Sequence, residues 1–311
     1  MEGTVCVCGS INTDLVIYLD RLPQPGETVT GGTFASFPGG KGANQAVAAR
    51  RSGAAVAMHG CLGGDAFGRE RLAGLAAEGI DTTGVRILPG SPSGVASITV
   101  DAAGENCIAV ASGANAMFDG EGVVFPVSRP GGLTVCLFQN EVPQEATERL
   151  VEKAHAAGHV VVWNLAPALS RRPAPRTLRM VDHLVCNRNE LAALTGGSPA
   201  PAPSDVEAQA RVALSWGVGN VIVTLGKEGS ICMSAVTTLR VAAFPVTAVD
   251  TVGAGDCYCG VFAAALSEGD GVAPAARRAS AAAALSATRR GAQTSMPVRA
   301  EIEALLSQYR F

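Results

Sequence analysis

The chain has 311 residues, with 24 Lys plus Arg against 27 Asp plus Glu, a formal charge of −3, and 48% apolar but only 16% charged residues. That balance excludes a broad basic surface for nucleic acid and a chain disordered by composition, and 5% aromatic residues leave little for stacking single-stranded bases. The length suits two domains or one large one, and no run approaches the roughly 18 apolar residues of a membrane helix.

In chain order, short β-branched runs alternate with Ala-rich helical stretches. Residues 5–8 read as a buried strand, 43–52 as a helix and 55–60 as a strand. Residues 66–78 read as a helix, with Leu72, Leu75 and Ala76 at helical spacing. A strand at 133–138, a helix at 144–157 and strands at 160–163 and 182–186 follow. Then come helices at 189–195 and 204–216, a strand at 221–225, and helices at 254–267 and 274–288. This alternation predicts an α/β fold: a doubly wound, mostly parallel sheet with helices on both faces. Right-handed crossovers then gather the functional loops at the carboxyl edge of the sheet.

Two segments break the pattern. Residues 13–36 and 93–110 alternate with a period of two and carry turn residues between their runs. They predict a small antiparallel β lid, with residues 1–12, 37–92 and 111–311 forming the core. A small sheet exposes an apolar face, which covering the site or pairing with a second subunit would relieve. The plain alternative is a peripheral hairpin patch.

The nine cysteines are odd in number and scattered, which does not fit a disulfide framework. Cys136 and Cys186 lie in apolar runs and read as buried hydrophobes in a reducing compartment. The first ten residues lack the basic and apolar regions of a signal peptide, so a cytosolic location is expected. His155 and His159 lack the Glu of an H-E-x-x-H motif and read as core or surface residues.

Five motifs carry possible chemistry. Asp250-Thr-Val-Gly-Ala-Gly-Asp256 is a glycine turn opening a helix. The amides of Gly253, Ala254, Gly255 and Asp256 would form an anion hole for a phosphoryl group. Asp256 is suited to take a proton from an attacking hydroxyl, and equally suited to cap an ordinary helix. Pro38-Gly-Gly-Lys-Gly-Ala-Asn44 is a second glycine turn at a helix start, matching neither a P-loop nor a dinucleotide fingerprint. Its Lys41 and Asn44 can donate to hydroxyls or phosphate, or the turn is simply tight and solvated. Gly9-Ser-Ile-Asn-Thr-Asp14 follows the first strand, where Asn12 and Asp14 suit vicinal hydroxyls or an Asx turn. In Asn187-Arg-Asn-Glu190 the carboxamide and carboxylate share a helical face. They suit a hydrated Mg²⁺ or a capping box. Val223-Thr-Leu-Gly-Lys-Glu-Gly229 lies along a nucleotide or forms a hairpin turn.

Taken together and in this order, the five motifs resemble the ribokinase family of sugar and nucleoside kinases. The resemblance runs from Cys8 to about Pro297, and Thr288-Arg-Arg-Gly-Ala-Gln adds to it. It implies ATP-dependent phosphorylation of D-ribose at its 5-hydroxyl. By resemblance Asp256 is the general base, with Gly253, Ala254 and Gly255 as the anion hole. Asn12, Thr13, Asp14, Gly40, Lys41, Gly42, Ala43, Asn44 and Glu141 match sugar-holding positions. Asn187, Thr224, Leu225, Gly226, Lys227, Glu228, Gly229, Gly255 and Ser280 match ATP-binding positions. Ser280 stands where the family often has His or Asn.

The resemblance also implies Mg²⁺ held through water by Glu190. It implies an activating K⁺ held mainly by carbonyls at Asp250, Val252, Ser286, Arg289, Gly291 and Ser295. A homodimer through the lid sheets is expected, with no nucleic acid or membrane partner. Competing readings are the same chemistry on 2-deoxyribose or a nucleoside such as adenosine, a non-catalytic sensor on this fold, and an NAD-linked enzyme. The missing glycine fingerprint after the first strand argues against the last.

Overall fold

The computed structural model describes residues 3–127, 132–199 and 202–309. The expected core limits at 1 and 311, and the first two residues of the stretch read for a leader, lie outside them. Strand β1 (Thr4–Cys8) is buried along its whole length, as a central strand covered on both faces must be. Next come β2 (Asn12–Tyr18), β3 (Thr33–Gly39), α1 (Lys41–Arg51), β4 (Ala55–Gly63), α2 (Ala66–Ala77) and β5 (Asp81–Leu88). Strands β6 (Gly94–Val100), β7 (Asn106–Ala111) and β8 (Thr134–Phe138) lead to α3 (Gln144–Ala156) and β9 (Val160–Asn164). Then follow α4 (Pro175–Leu178), β10 (His183–Asn187), α5 (Arg188–Thr195), α6 (Pro203–Ser215) and β11 (Asn220–Thr224). Last are β12 (Ser230–Ser234), β13 (Thr238–Val241), α7 (Ala254–Ser267), α8 (Val272–Ala287) and α9 (Arg299–Gln308).

The large sheet has nine strands in the order β13-β12-β11-β10-β9-β8-β1-β4-β5. Strands β5, β4, β1, β8, β9, β10 and β11 run parallel, and β12 and β13 add antiparallel pairings at one edge. Helices cover both faces, as the β-α alternation predicts. On one face Val5, Val7, Leu137 and Ile222 pack against α1, α7 and α8. On the other Cys6, Phe138, Trp163 and Val223 pack against α3, α5 and α6. Strands β5 and β13 and helix α9 were not legible as elements. Strand β5 is half-exposed along most of its length, and β13 is a four-residue edge strand, so neither carries an apolar run. Among the described residues, no helix is long and apolar enough to cross a membrane. All nine cysteines are free, and Cys107 alone of them is exposed.

The small sheet has the order β3-β2-β6-β7. Its β2–β3 and β6–β7 pairings are antiparallel, and the middle pairing, β2–β6, is parallel. Its strands run past 13–36 and 93–110 to Asn12, Gly39 and Ala111, because the ladder persists to the hinge, where Asn12 faces both Gly39 and Gly94. Asn115 clamps this hinge. It accepts from Ile11 N at 2.9 Å and donates to Asn12 Oδ1 at 2.7 Å. A Cβ on Gly94 would lie 2.2 Å from each of those two side chains, so the clamp requires glycine there.

Candidate active site

Helix α7 starts on a residue that only glycine fits comfortably. Gly253 has φ 76°, and a Cβ there would sit 2.9 Å from Ala292 Cα. Ala254 N donates to Thr251 O at 3.2 Å, and the first intrahelical bond runs from Cys257 N to Gly253 O at 2.8 Å. The four open amides expected here are therefore reduced, because the turn itself takes up Ala254. Gly255 and Asp256 lie in the first turn, where amides have no intrahelical acceptor.

Asp256 is only 7% exposed. It accepts from Asn44 Nδ2 at 2.9 Å on one oxygen and from Gln45 Nε2 at 2.9 Å on the other. Both amides come from α1, which approaches α7 closely at Gly260. At the start of α1, Gly40 has φ 89° and packs on the backbone of Asn12. Lys41 N donates to Glu141 Oε2 at 3.1 Å, and Ser10 Oγ donates to the same oxygen at 2.6 Å. The negative charge of Asp256 raises the pKa of the Lys41 ammonium against the opposing effect of burial, and Glu141 and Glu190 add to the rise. Burial, then the charges of Glu141 and Asp256, push Asp14 up to about 6. Buried Thr13 Oγ1 has no partner among the described residues.

A cavity of about 150 Å³ opens at the carboxyl ends of β10 and β11, bounded by α1, α5 and α7. It brings together Lys41, Asn187, Glu190, Thr224, Gly253, Gly255 and Asp256, with Cys186 and Cys259 in its wall. Burial keeps both thiols protonated. Asn12, Thr13, Asp14, Gly40, Gly42, Ala43, Asn44 and Glu141 do not line this cavity. They gather beside it at the hinge of the small sheet. Leu225 to Gly229 form the turn between β11 and β12, closed by Leu225 N to Gly229 O at 2.7 Å. The exposed Gly226, Lys227 and Glu228 are not part of the cavity lining, and Glu228 bonds Arg188 at 2.8 Å. Ser280 is buried on α8, outside the lining.

Asn187 and Glu190 form a capping box, with Glu190 N to Asn187 Oδ1 at 2.9 Å and Asn187 N to Glu190 Oε2 at 2.8 Å. Glu190 nonetheless faces the cavity, and burial raises its pKa, with the Asp256 charge a lesser contributor. A buried and a half-buried carboxylate, Asp256 and Glu190, line one cavity, a donor type that suits a hard divalent cation. The residues expected to hold a monovalent cation are tied together in part. Asp250 accepts from Val252 N at 3.0 Å and Gly291 N at 2.9 Å, tying its loop to 286–295. Ser295 Oγ lies 3.2 Å from Ser286 Oγ, and both side chains are fully buried. The Arg289 guanidinium bonds Glu301.

Sequence reasoning passed over Ser10, Gln45, Asn115, Gln139, Asn164 and Gln293. Ser10 stands inside the Gly9–Asp14 motif, Gln293 closes the 288–293 motif and Gln45 directly follows Asn44, but an uncharged hydroxyl or amide carries no local signal of its role.

The family profile "pfkB family carbohydrate kinase" matches residues 3–299. The ribokinase of Haemophilus influenzae is 39% identical over 302 residues, covering 97% of each chain. The deoxyribokinase of Salmonella typhi is 36% identical over 293 residues, covering 94% of this chain and 95% of the relative. The structure of Arabidopsis thaliana ribokinase complexed with ribose and ATP superposes with a TM-score of 0.86 at 29% identity, covering 98% of this chain and 99% of that one.

Proposed function

The chain belongs to the pfkB family of carbohydrate kinases, and from that premise we propose that it transfers the γ-phosphoryl group of ATP to the 5-hydroxyl of D-ribose. The observation that carries this reading is Asp256, buried at the mouth of an open helix N-terminus with both oxygens oriented by amides. The hydroxyl oxygen attacks the γ-phosphorus in line. The bond to the β,γ-bridging oxygen breaks, and ADP leaves with that electron pair. Asp256 accepts the hydroxyl proton. The amides of Gly255 and Asp256 offset the charge that develops on the transferring group, aided by Lys41 at the cavity wall. Asn12, Asp14, Gly40, Asn44 and Glu141 hold the sugar under the small sheet, and Asn187, Thr224 and the turn after it hold the nucleotide.

Glu190 would hold Mg²⁺ through water, where the ion neutralises phosphate charge. The carbonyls around Asp250, Val252, Ser286, Arg289, Gly291 and Ser295 would hold K⁺, whose charge supports the anion hole above it. A homodimer through the small sheets would cover the exposed Phe34, Ile108 and Val110. A second reading takes 2-deoxyribose as the acceptor, and the Salmonella relative favours it.

ADP release with D-ribose, 2-deoxyribose or adenosine, each in K⁺ and in Na⁺, tests both. Preference for ribose raised by K⁺ is the expected result. Preference for 2-deoxyribose keeps the chemistry and selects the second reading, and no turnover of any acceptor moves the protein to a sensor. Asp256→Asn is expected to bind sugar and ATP by calorimetry yet lose about 10²–10⁴-fold in kcat. Near-parental turnover would remove Asp256 from its role.

A further inference from the structure

Five carboxamides form a hydrogen-bonded network that reaches one carboxylate through two of them: Asn44 and Gln45 on α1, which bond Asp256, with Gln139 after β8, Asn164 at the end of β9, and Gln293 behind them. Gln45 is fully buried. Its Nε2 uses both hydrogens, one to Asp256 Oδ1 at 2.9 Å and one to Asn164 Oδ1 at 3.0 Å. Its Oε1 accepts from Gln139 Nε2 at 2.7 Å. The reverse orientation would set oxygen against oxygen at Asp256 and donor against donor at Gln139. Asn164 is oriented in turn by donating to Val185 O at 3.2 Å on β10. The chain of amides therefore has a direction, and it ends on a donor to Asp256. The other oxygen of Asp256 takes Asn44 Nδ2, whose own oxygen accepts from Gln293 at 3.1 Å. One amide on each oxygen fixes the plane of the carboxylate and leaves its remaining lone pairs for the cavity.

We propose that Gln45 is a positioning residue for phosphoryl transfer, orienting Asp256 by one hydrogen bond while Gln139 holds the Gln45 amide the right way round. The inference rests on the reading of Asp256 as proton acceptor. Other groups whose charge acts on this site are Lys41 on α1, Asp14 on β2, Glu141 after β8, Glu190 on α5, and the Cys257 and Cys259 thiols on α7. None of them replaces the lost donor, because none is hydrogen-bonded to Asp256. Removing a donor to the charged form favours the neutral form, so the acid limb of the kcat profile moves to higher pH.

The test is Gln45→Met, which keeps volume and removes the amide, read as kcat and ribose KM from pH 5.5 to 9. Expected are a kcat loss of about 10–100-fold, an acid limb at higher pH, and a KM within about threefold. Gln139→Met is the second variant. It leaves Gln45 in place but unpinned, and is expected to show the same shift, smaller. If Gln45→Met does not fold, Gln139→Met decides alone. A parental pH profile, or a change confined to KM, overturns the proposal. The parent and Asp256→Asn are measured alongside. An inactive parent or an active Asp256→Asn overturns the reading of Asp256 itself. With both controls as expected, parental behaviour of the Gln variants overturns only the positioning role.

Discussion

Asp14 shows how a residue can serve a site at the expense of the fold. Its carboxyl is pushed up to about 6 by burial and by its acidic neighbours Glu141 and Asp256. The unfolded chain holds this proton less tightly than the folded one. The stability contribution of Asp14 is therefore complete below the ordinary carboxylate value and lost as pH rises through about 6. Above that pH a charged carboxylate sits in a place that resists charge. A rise of about two units corresponds to at most about 3 kcal/mol. Asp14→Asn is expected to melt higher than the parent at pH 8, with the difference vanishing near pH 4. Its ribose KM is expected to rise, because the carboxylate proposed to accept from sugar hydroxyls is gone. Equal melting temperatures at pH 8 would contradict the assignment. Asp14 and Asp256 were both legible from their motifs, since each follows a glycine-bearing turn at a strand or helix end. The burial that sets the behaviour of Asp14 was not.

At the scale of elements, the pairing of α1 with α7 decides whether the site exists. Gly260 lets the helices touch. A Cβ there would lie 2.3 Å from Gln45 O, 2.7 Å from Ala48 Cβ and 3.0 Å from Ala49 N. Those are mostly backbone atoms, so α1 would have to move and carry Asn44 and Gln45 with it. Gly→Ala in a helix ordinarily gains about 1 kcal/mol. Overpacking reverses that sign here, with an expected net loss of about 1–3 kcal/mol and a lower kcat. Gly74→Ala on α2, where nothing lies within 4 Å, is the matched control and is expected to raise the melting temperature. Stabilisation by Gly260→Ala would show that the contact yields. Elements differ in the same way in how well they could be read. Strand β1 was legible because a strand buried on both faces is a continuous apolar run. Helix α5 was legible from its start, where Asn187 and Glu190 signal a cap. Strand β7 is exposed throughout and was placed only by the alternation of its segment.

For the whole molecule, the small sheet is the open question of solvation. Phe34 is 63% exposed on one face of the small sheet, and Ile108 and Val110 are 53% and 52% exposed on the other, apolar surface that pairing with a second copy would cover. Phe34→Glu with Ile108→Glu is expected to convert a dimer to a monomer in sedimentation velocity. A monomeric parent, or a variant that stays dimeric, would sink the proposed pairing. The sequence by itself determined the doubly wound class, the position of the small sheet and the identity of Asp256, Lys41, Asn44 and Glu190 as candidates. Each of these rests on local signals: apolar runs, periodicity, and glycine turns at helix starts. Only the tertiary structure decided how Asp256 is held. Gln45 reaches Asn164 across 119 positions and Asp256 across 211. A hydrogen bond between amides depends on where three strand ends and two helices meet in space, and no stretch of neighbouring residues encodes that meeting.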